Sequence, residues 1–326
     1  MNHNYVFNGD ADGLCALQQL RLAEPRGSGR ETLVTGVKRD IALLERVTPT
    51  AGDACTVLDI SLDVNRAALT ALLAAGVSIR YFDHHFAGEI PAHAGLEPHI
   101  DLRPNVCTSI LVDRHLDGRC RRWAIVGAYG DSLTAEGDAL AAAAGVAPDL
   151  AARLKSLGLA INYNAYGETI ADLHVPPVDL AAEMLPFSDP LEFADASAAC
   201  RRLADGFKED MELARRLAPA REAPGAVVFM LPDAPWARRA SGTLANDKAK
   251  AHAGSAVAIV SPRTEGGYLV SVRVPKEFSV SAEAFCRRFP TGGGRKTAAG
   301  INHLPSEELE SFTTAFEQQF RDGAST

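Results

Sequence analysis

No two cysteines in this sequence form a C-x-x-C pair: Cys15, Cys55, Cys107, Cys120, Cys200 and Cys286 are scattered through 326 residues. A chain of this size needs no covalent staples, so the six are expected as reduced thiols, mostly buried as small apolar side chains. Long apolar runs are also missing. The longest, such as Ala139 to Val146 and Ala256 to Val260, fall far short of the roughly 20 residues a membrane span requires. The opening Met1-Asn2-His3-Asn4 runs straight into apolar Tyr5-Val6-Phe7, without the basic segment, apolar stretch and cleavage site of a secretory signal, so a cytoplasmic location and no membrane partner are expected. Positive charge is in deficit, with 33 Lys/Arg against 41 Asp/Glu and a net charge of −8. From Arg216 onward the balance is 14 Lys/Arg against 11 Asp/Glu, a net +3, which leaves −11 for the residues before it. An acidic front half is a poor partner for long nucleic acid, which rewards many simultaneous cation contacts to phosphate. It suits a metal-loaded site and a small anionic substrate.

Apolar residues make up 47% and charged residues 23%, the balance of a folded globular protein, and the length suits two domains. The front half alternates β-branched runs (Tyr5 to Phe7, Thr32 to Thr35, Thr56 to Ile60, Ser78 to Phe82) with helical stretches (Gly13 to Ala23, Val64 to Ala75). That alternation predicts βαβ units and a parallel sheet. Asp63 is the expected N-cap of the second helix and Gly76 its stop. From Asn105 to about Leu217 the pattern is helical and rich in Ala and Leu, with Ala196 to Leu217 as a connecting helix. After Pro219 and Pro224 a second αβ pattern begins, with strands over Ala226 to Leu231, Ser255 to Val260 and Gly267 to Val274 and helices over Ala237 to Ala251 and Ser281 to Arg288. The expected division is 1–190, a linker over 191–218, and 219–326.

The first strand ends in Asn8-Gly9-Asp10-Ala11-Asp12-Gly13, two carboxylates in a tight loop before a helix. Such a loop is either an ordinary turn whose aspartate caps the helix or a ligand site at the carboxyl edge of a parallel sheet. An EF-hand is excluded, because Leu14 stands where an oxygen ligand is required. The third strand ends in Asp59 and the fourth in Asp83-His84-His85, so three strands deliver metal-type ligands to one sheet edge. Asp131, in Gly127-Ala128-Tyr129-Gly130-Asp131-Ser132, is either a further carboxylate for the cluster or a helix cap. Oxygen ligands with one or two imidazoles favour Mn²⁺ or Mg²⁺ over structural zinc. Two ions sharing a bridging carboxylate would bind a hydroxide nucleophile and neutralise phosphoryl oxygens.

The series Asp10-x-Asp12-Gly13, Asp59, Asp83-His84-His85 and Asp131 resembles the metal motifs of the DHH phosphoesterase superfamily. Gly292-Gly293-Gly294-Arg295-Lys296-Thr297-Ala298-Ala299-Gly300 resembles the glycine-rich signature of its DHHA1 domain. The resemblance implies an α/β fold: a parallel-sheet DHH domain and a smaller α/β DHHA1 domain joined by a helical connector. Similar patterns occur in nano-RNases, RecJ-like exonucleases and cyclic-nucleotide phosphodiesterases. It implies one divalent cation on Asp10 and Asp59 and another on Asp12, Asp59, His84 and Asp131, with Mn²⁺ first and Mg²⁺ second. Asp83 would orient the histidines and His85 would approach the scissile phosphate.

Two positions depart from that pattern. Asn8 stands where many members have a histidine ligand, which weakens one metal site, and His3 is too far along the strand to replace it. Arg295 stands where histidine usually follows the glycines; with Gly292, Gly293 and Gly294 it is either suited to phosphate or part of a structural turn with no ligand, and Arg273, on a strand of the same domain, is either a candidate for a second phosphate or an exposed strand arginine. A P-loop is excluded, since Arg295 occupies the place of the glycine before its lysine. Tyr163 or Tyr166 could stack on a base or simply pack, and Thr108 and Ser109 could bond phosphate or cap a helix.

The expected activity is hydrolysis of short oligonucleotides or linear or cyclic dinucleotides to mononucleotides, with the interdomain cleft setting substrate length and a homodimer left open as the assembly. A phosphomonoesterase on adenosine bisphosphate, a polyphosphate hydrolase and a non-catalytic nucleotide sensor are the alternatives.

Overall fold

The computed structural model describes residues 2–25 and 29–321, and the chain divides into two compact units, Met1–Asp205 and Gly206–Thr326. The division falls inside the helical connector that the sequence places over 191–218. Among the described residues no helix is long and apolar enough to cross a membrane.

In the first unit five strands, β1 (His3–Phe7), β2 (Glu31–Val34), β3 (Ala54–Leu58), β4 (Ser78–Asp83) and β5 (Leu96–Ile100), form a parallel sheet in the order β2-β1-β3-β4-β5. Helix α1 (Ala11–Ala23) follows β1, and α2 (Arg66–Ala74) connects β3 to β4. Because strand side chains alternate, Tyr5 and Phe7 enter one core with Leu14, Leu17 and Leu20 of α1, while Val6 enters another with Leu69, Leu72 and Leu73 of α2. The two helices therefore cover opposite faces. The strand order reverses between β1 and β3, and in open α/β sheets the crevice at the carboxyl ends of such strands is where ligands bind.

Seven further helices complete this stretch of chain: α3 (Thr108–His115), α4 (Arg121–Gly130), α5 (Thr134–Ala143), α6 (Pro148–Asn164), α7 (Pro177–Met184), α8 (Pro190–Ala196) and α9 (Ala198–Arg215). The expected stop of α2 is present, since Gly76 takes φ +81°, a left-handed value that costs glycine least. The expected N-cap is not Asp63. Helix α2 starts after Asn65, whose amide is held by Ile41 O and Ser61 O, and Asp63 instead pairs with Arg66 at 3.2 Å.

The second unit holds β6 (Arg221–Ala223), β7 (Ala226–Met230), α10 (Pro235–Ala251), β8 (Ala256–Pro262), β9 (Tyr268–Arg273), α11 (Ala282–Cys286), β10 (Gly292–Gly294), β11 (Ala298–Leu304) and α12 (Leu309–Phe320). Its six-stranded sheet runs β10-β11-β9-β8-β7-β6, with only β7 and β8 parallel. Phe312, Phe316 and Phe320 of α12 pack with Phe285 of α11 in one core, each fully buried ring being worth roughly 1.5–3 kcal/mol.

Candidate metal centre

Each strand at the switch point ends one or two residues short of a polar side chain. After β1 the chain reverses so tightly that a Cβ on Gly13 would lie 2.2 Å from Asn8 O, and only glycine fits. Asp10 is the N-cap of α1. Asp59, just past β3, adopts φ +61°, an uncommon conformation for a residue with a side chain, while its N–H stays bonded to Phe82 O at 3.0 Å. His84 and His85 follow the end of β4, and Asp131 is the C-cap of α4, not a cap for the residues after it.

These ends converge. His84 Nε2 lies 3.3 Å from Asp59 Oδ1, 3.9 Å from Asp12 Oδ2 and 3.9 Å from Asp131 Oδ2. The first turn of α3 fixes two of the carboxylates: the N–H groups of Thr108 and Ser109 each donate to Asp12 at 2.7 Å, and Thr108 Oγ1 donates to Asp59 Oδ1 at 3.1 Å. Thr108 and Ser109 thus do not cap their own helix; they aim the acids. Among the described residues no lysine or arginine forms an ion pair with Asp12, Asp59 or Asp131. Burial, reinforced by Asp12, Asp10, Asp131 and Asp83, pushes Asp59 well above the usual carboxylate range. Burial and the charges of Asp12 and Asp10 raise Asp131 to about 6 against the pull of Lys38 and His84. Cys107 Sγ lies within 4.8 Å of ligand atoms of Asp12 and Asp131, but burial and those two charges hold it as a thiol. All six cysteines are free, and five are buried.

His85 Nδ1 is 2.7 Å from Asp83 Oδ1. The imidazole is 45% exposed, whereas the carboxylate beneath it is fully buried. Burial alone would lower the His85 pKa; the hydrogen bond and charge of Asp83, with Asp12 and Asp10, outweigh it and raise the value.

The other flank of the cluster differs from the sequence reading. Asp10 Oδ1 accepts the N–H groups of Asp12 and Gly13 at 3.0 and 3.1 Å, and Oδ2 pairs with Lys38 Nζ. Lys38 also donates to Asn162 Oδ1 at 3.1 Å and lies 5.5 Å from the Tyr166 ring centre. Burial would raise Asp10, yet Lys38 pulls it below its usual range. Asn8 Nδ2 donates to Lys38 O at 3.3 Å, and Asn8 Oδ1 is buried with no hydrogen-bond partner. Nothing in the motifs pointed to Lys38, a loop residue after β2. Tyr163 is buried, with its hydroxyl 3.1 Å from His174 Nε2, so it packs instead of offering a face. His3 sits at the start of β1 beside Thr56 Oγ1 at 2.9 Å.

In the second unit the glycine-rich segment is a β-hairpin, with β10 antiparallel to β11 and Arg295 N–H bonded to Ala298 O across the turn at 2.8 Å. The fold demands three of its glycines: a Cβ on Gly292 would lie 1.7 Å from Cys286 O, one on Gly300 2.7 Å from Val270 O, and Gly294 has φ +142°. Gly293 meets nothing. Arg295 is exposed in the turn. Arg273 Nε donates to Asn246 Oδ1 at 2.9 Å.

No protein-family model matches the chain. No curated protein matches it either. Solved structures do. Manganese-bound exonuclease RecJ superposes over 97% of this chain and 89% of its own, with a TM-score of 0.62 at 19% identity. RecJ of Thermus thermophilus in complex with Mn²⁺ matches 97% of this chain and 51% of its own, with a TM-score of 0.65 at 20% identity. The fold is shared with RecJ. The pGpG-specific phosphodiesterase PggH of Vibrio cholerae also matches, over 98% of this chain and 99% of its own, with a TM-score of 0.51 at 11% identity. Likeness at these identities concerns the fold alone; chemistry has to be argued from the side chains. The expected architecture, a parallel-sheet α/β domain followed by a second α/β domain, is the one observed.

Proposed function

We propose that this chain is a metal-dependent phosphodiesterase that cuts short oligonucleotides or linear or cyclic dinucleotides to mononucleotides in the cytoplasm. The observation that carries the reading is His84 Nε2 within 4 Å of carboxylate oxygens of Asp12, Asp59 and Asp131, at the sheet's switch point and, among the described residues, with no lysine or arginine paired to those three acids. Buried carboxylates that no protein cation balances are a costly arrangement unless a metal completes it. Three oxygen donors and one imidazole fit Mn²⁺, with Mg²⁺ as the alternative. A divalent ion held by Asp12, Asp59, His84 and Asp131 supplies Lewis-acid charge for a phosphoryl group and brings water into its nucleophilic range at neutral pH.

The chain's own residues supply the rest. Thr108 and Ser109 hold the carboxylates in place, so little reorganisation accompanies binding. His85, kept protonated more readily by Asp83, is a half-exposed proton donor for a phosphate or leaving-group oxygen. In the second unit Arg295, exposed in its hairpin turn, carries a fixed positive charge suited to an anionic group. The −11 carried before Arg216 disfavours long strands, and similarity to a pGpG-specific phosphodiesterase supports a small substrate. The test is incubation with Mn²⁺ and a panel of di- to pentanucleotides, cyclic dinucleotides and cyclic mononucleotides, with Asp59→Ala as the blank and products identified by mass. Mononucleotide release by the wild type alone is expected; no release from any of them would end this reading.

A further inference from the structure

We propose that Lys38 supplies from within the chain one of the two cations for which this acidic sheet edge is built, so that the protein holds a single divalent ion at Asp12, Asp59, His84 and Asp131 and none at Asn8 and Asp10. The inference rests on the metal reading above and departs from the two-ion arrangement that the sequence motifs imply.

The first ground is the state of Asp10. Its Oδ1 is taken by two backbone N–H groups of α1, and its Oδ2 by the Lys38 ammonium. A divalent ion at Asp10 would have to displace Lys38, and Lys38 is not a swinging side chain. Its N–H donates to Ala165 O at 3.0 Å and its carbonyl accepts from Asn8 Nδ2. The next residues close a turn through Asp40 N–H to Val37 O at 2.9 Å. At the far end Asn162 Oδ1 and the Tyr166 ring also hold the ammonium. Backbone and head group are both fixed, and the two tethers of the head group come from the C-terminal turn of α6 and the residues just after it.

The second ground is Asn8. Its amide nitrogen already serves Lys38, which leaves one oxygen, Oδ1, buried and unpartnered. A single neutral amide oxygen is a weak claim on a divalent ion compared with an ammonium paired to a carboxylate. Asn8 and Lys38 therefore act as one unit: the amide donates to the lysine's carbonyl, and the lysine's ammonium pairs with Asp10 Oδ2.

The third ground is charge. Asp10, Asp12, Asp59 and Asp131 together carry four negative charges when ionised, which Lys38 and one divalent ion reduce to one. A second divalent ion added beside Lys38 would meet a fixed positive charge at close range. The flank at His84 has no lysine or arginine paired to it among the described residues, so the two flanks complement each other.

The experiment is a Mn²⁺ titration of the metal-stripped full chain, read by calorimetry, by metal content after desalting, and by electron paramagnetic resonance. The wild type is expected to retain one Mn²⁺ per chain and to give the resolved hyperfine lines of an isolated ion. The double variant Asn8→His/Lys38→Met is expected to retain two and to give the broadened spectrum of a coupled pair. Two ions and a coupled spectrum in the wild type would overturn the proposal, as would a folded double variant that stays at one. If circular dichroism shows the double variant unfolded, the wild-type stoichiometry decides alone, one ion for the proposal and two against. A wild type that takes up no Mn²⁺ removes the metal reading itself and this inference with it, an outcome distinct from two.

Discussion

Asp10 and Asp59 leave neighbouring strands of one sheet and are both buried, yet their acidities move in opposite directions. Lys38 draws Asp10 below its usual range. Asp59 has no such partner; burial and four surrounding carboxylates drive it upward. Lys38 pairs with the Asp10 flank, and the divalent ion we propose is what would neutralise the other. On that proposal the acidic cluster is not a metal site as a whole, and the position of Lys38 decides which part of it is.

The largest expected effect that would sharpen this contrast is Asp59→Asn. Hydrolysis should fall by at least about 10³-fold, because the carboxylate shared by the cluster is lost, while the metal-free variant should melt no lower than wild type, since repulsion among the acids is relieved. A large loss of metal-free stability would mean that Asp59 is balanced already. His85→Ala should lower kcat by about 10²-fold or more and leave Mn²⁺ affinity within a factor of a few; equal loss of both would place His85 among the ligands.

The pH dependence of stability separates the flanks by sign. Asp10, with a depressed folded pKa, contributes stability above its unfolded value, and this is lost as pH falls through the folded one. Asp131, raised from 3.8 to about 6, does the reverse: its contribution is complete below 3.8 and is lost as pH rises to about 6, on the order of 3 kcal/mol. Asp59 acts in the same direction. Metal-free protein should thus weaken in urea melts as pH rises across that window, and saturating Mn²⁺ should remove the slope. A flat metal-free profile would break the comparison. The smallest effect is Thr108→Val, which deletes the hydroxyl on Asp59 and should weaken Mn²⁺ binding about tenfold by calorimetry.

Much of this was legible in the sequence. Four strands of the first sheet follow from its apolar runs, the stop at Gly76 from a glycine after the last apolar position, and the shared edge of Asp12, Asp59 and His84 from strands ending in acids, whereas the inclusion of Asp131 comes from the family resemblance. The rest was hidden for physical reasons. Lys38 lies in a loop with no periodicity, and only tertiary folding brings it to Asp10. Strand β5 carries Pro98, a poor strand residue that an edge tolerates. The triple glycine has no strand propensity, and its pairing comes from β11. Helix α12 is legible in the same way: Phe312, Phe316 and Phe320 recur at i, i+4, i+8 on one buried face.

Anomalous X-ray scattering at the manganese edge, from crystals of the full chain grown with Mn²⁺, tests the central claim most directly. The expected result is a peak at bonding distance, about 2 Å, from His84 Nε2 and from oxygens of Asp12, Asp59 and Asp131. A map with no peak there, or with its peak against Asp10 and Lys38 displaced, would contradict it.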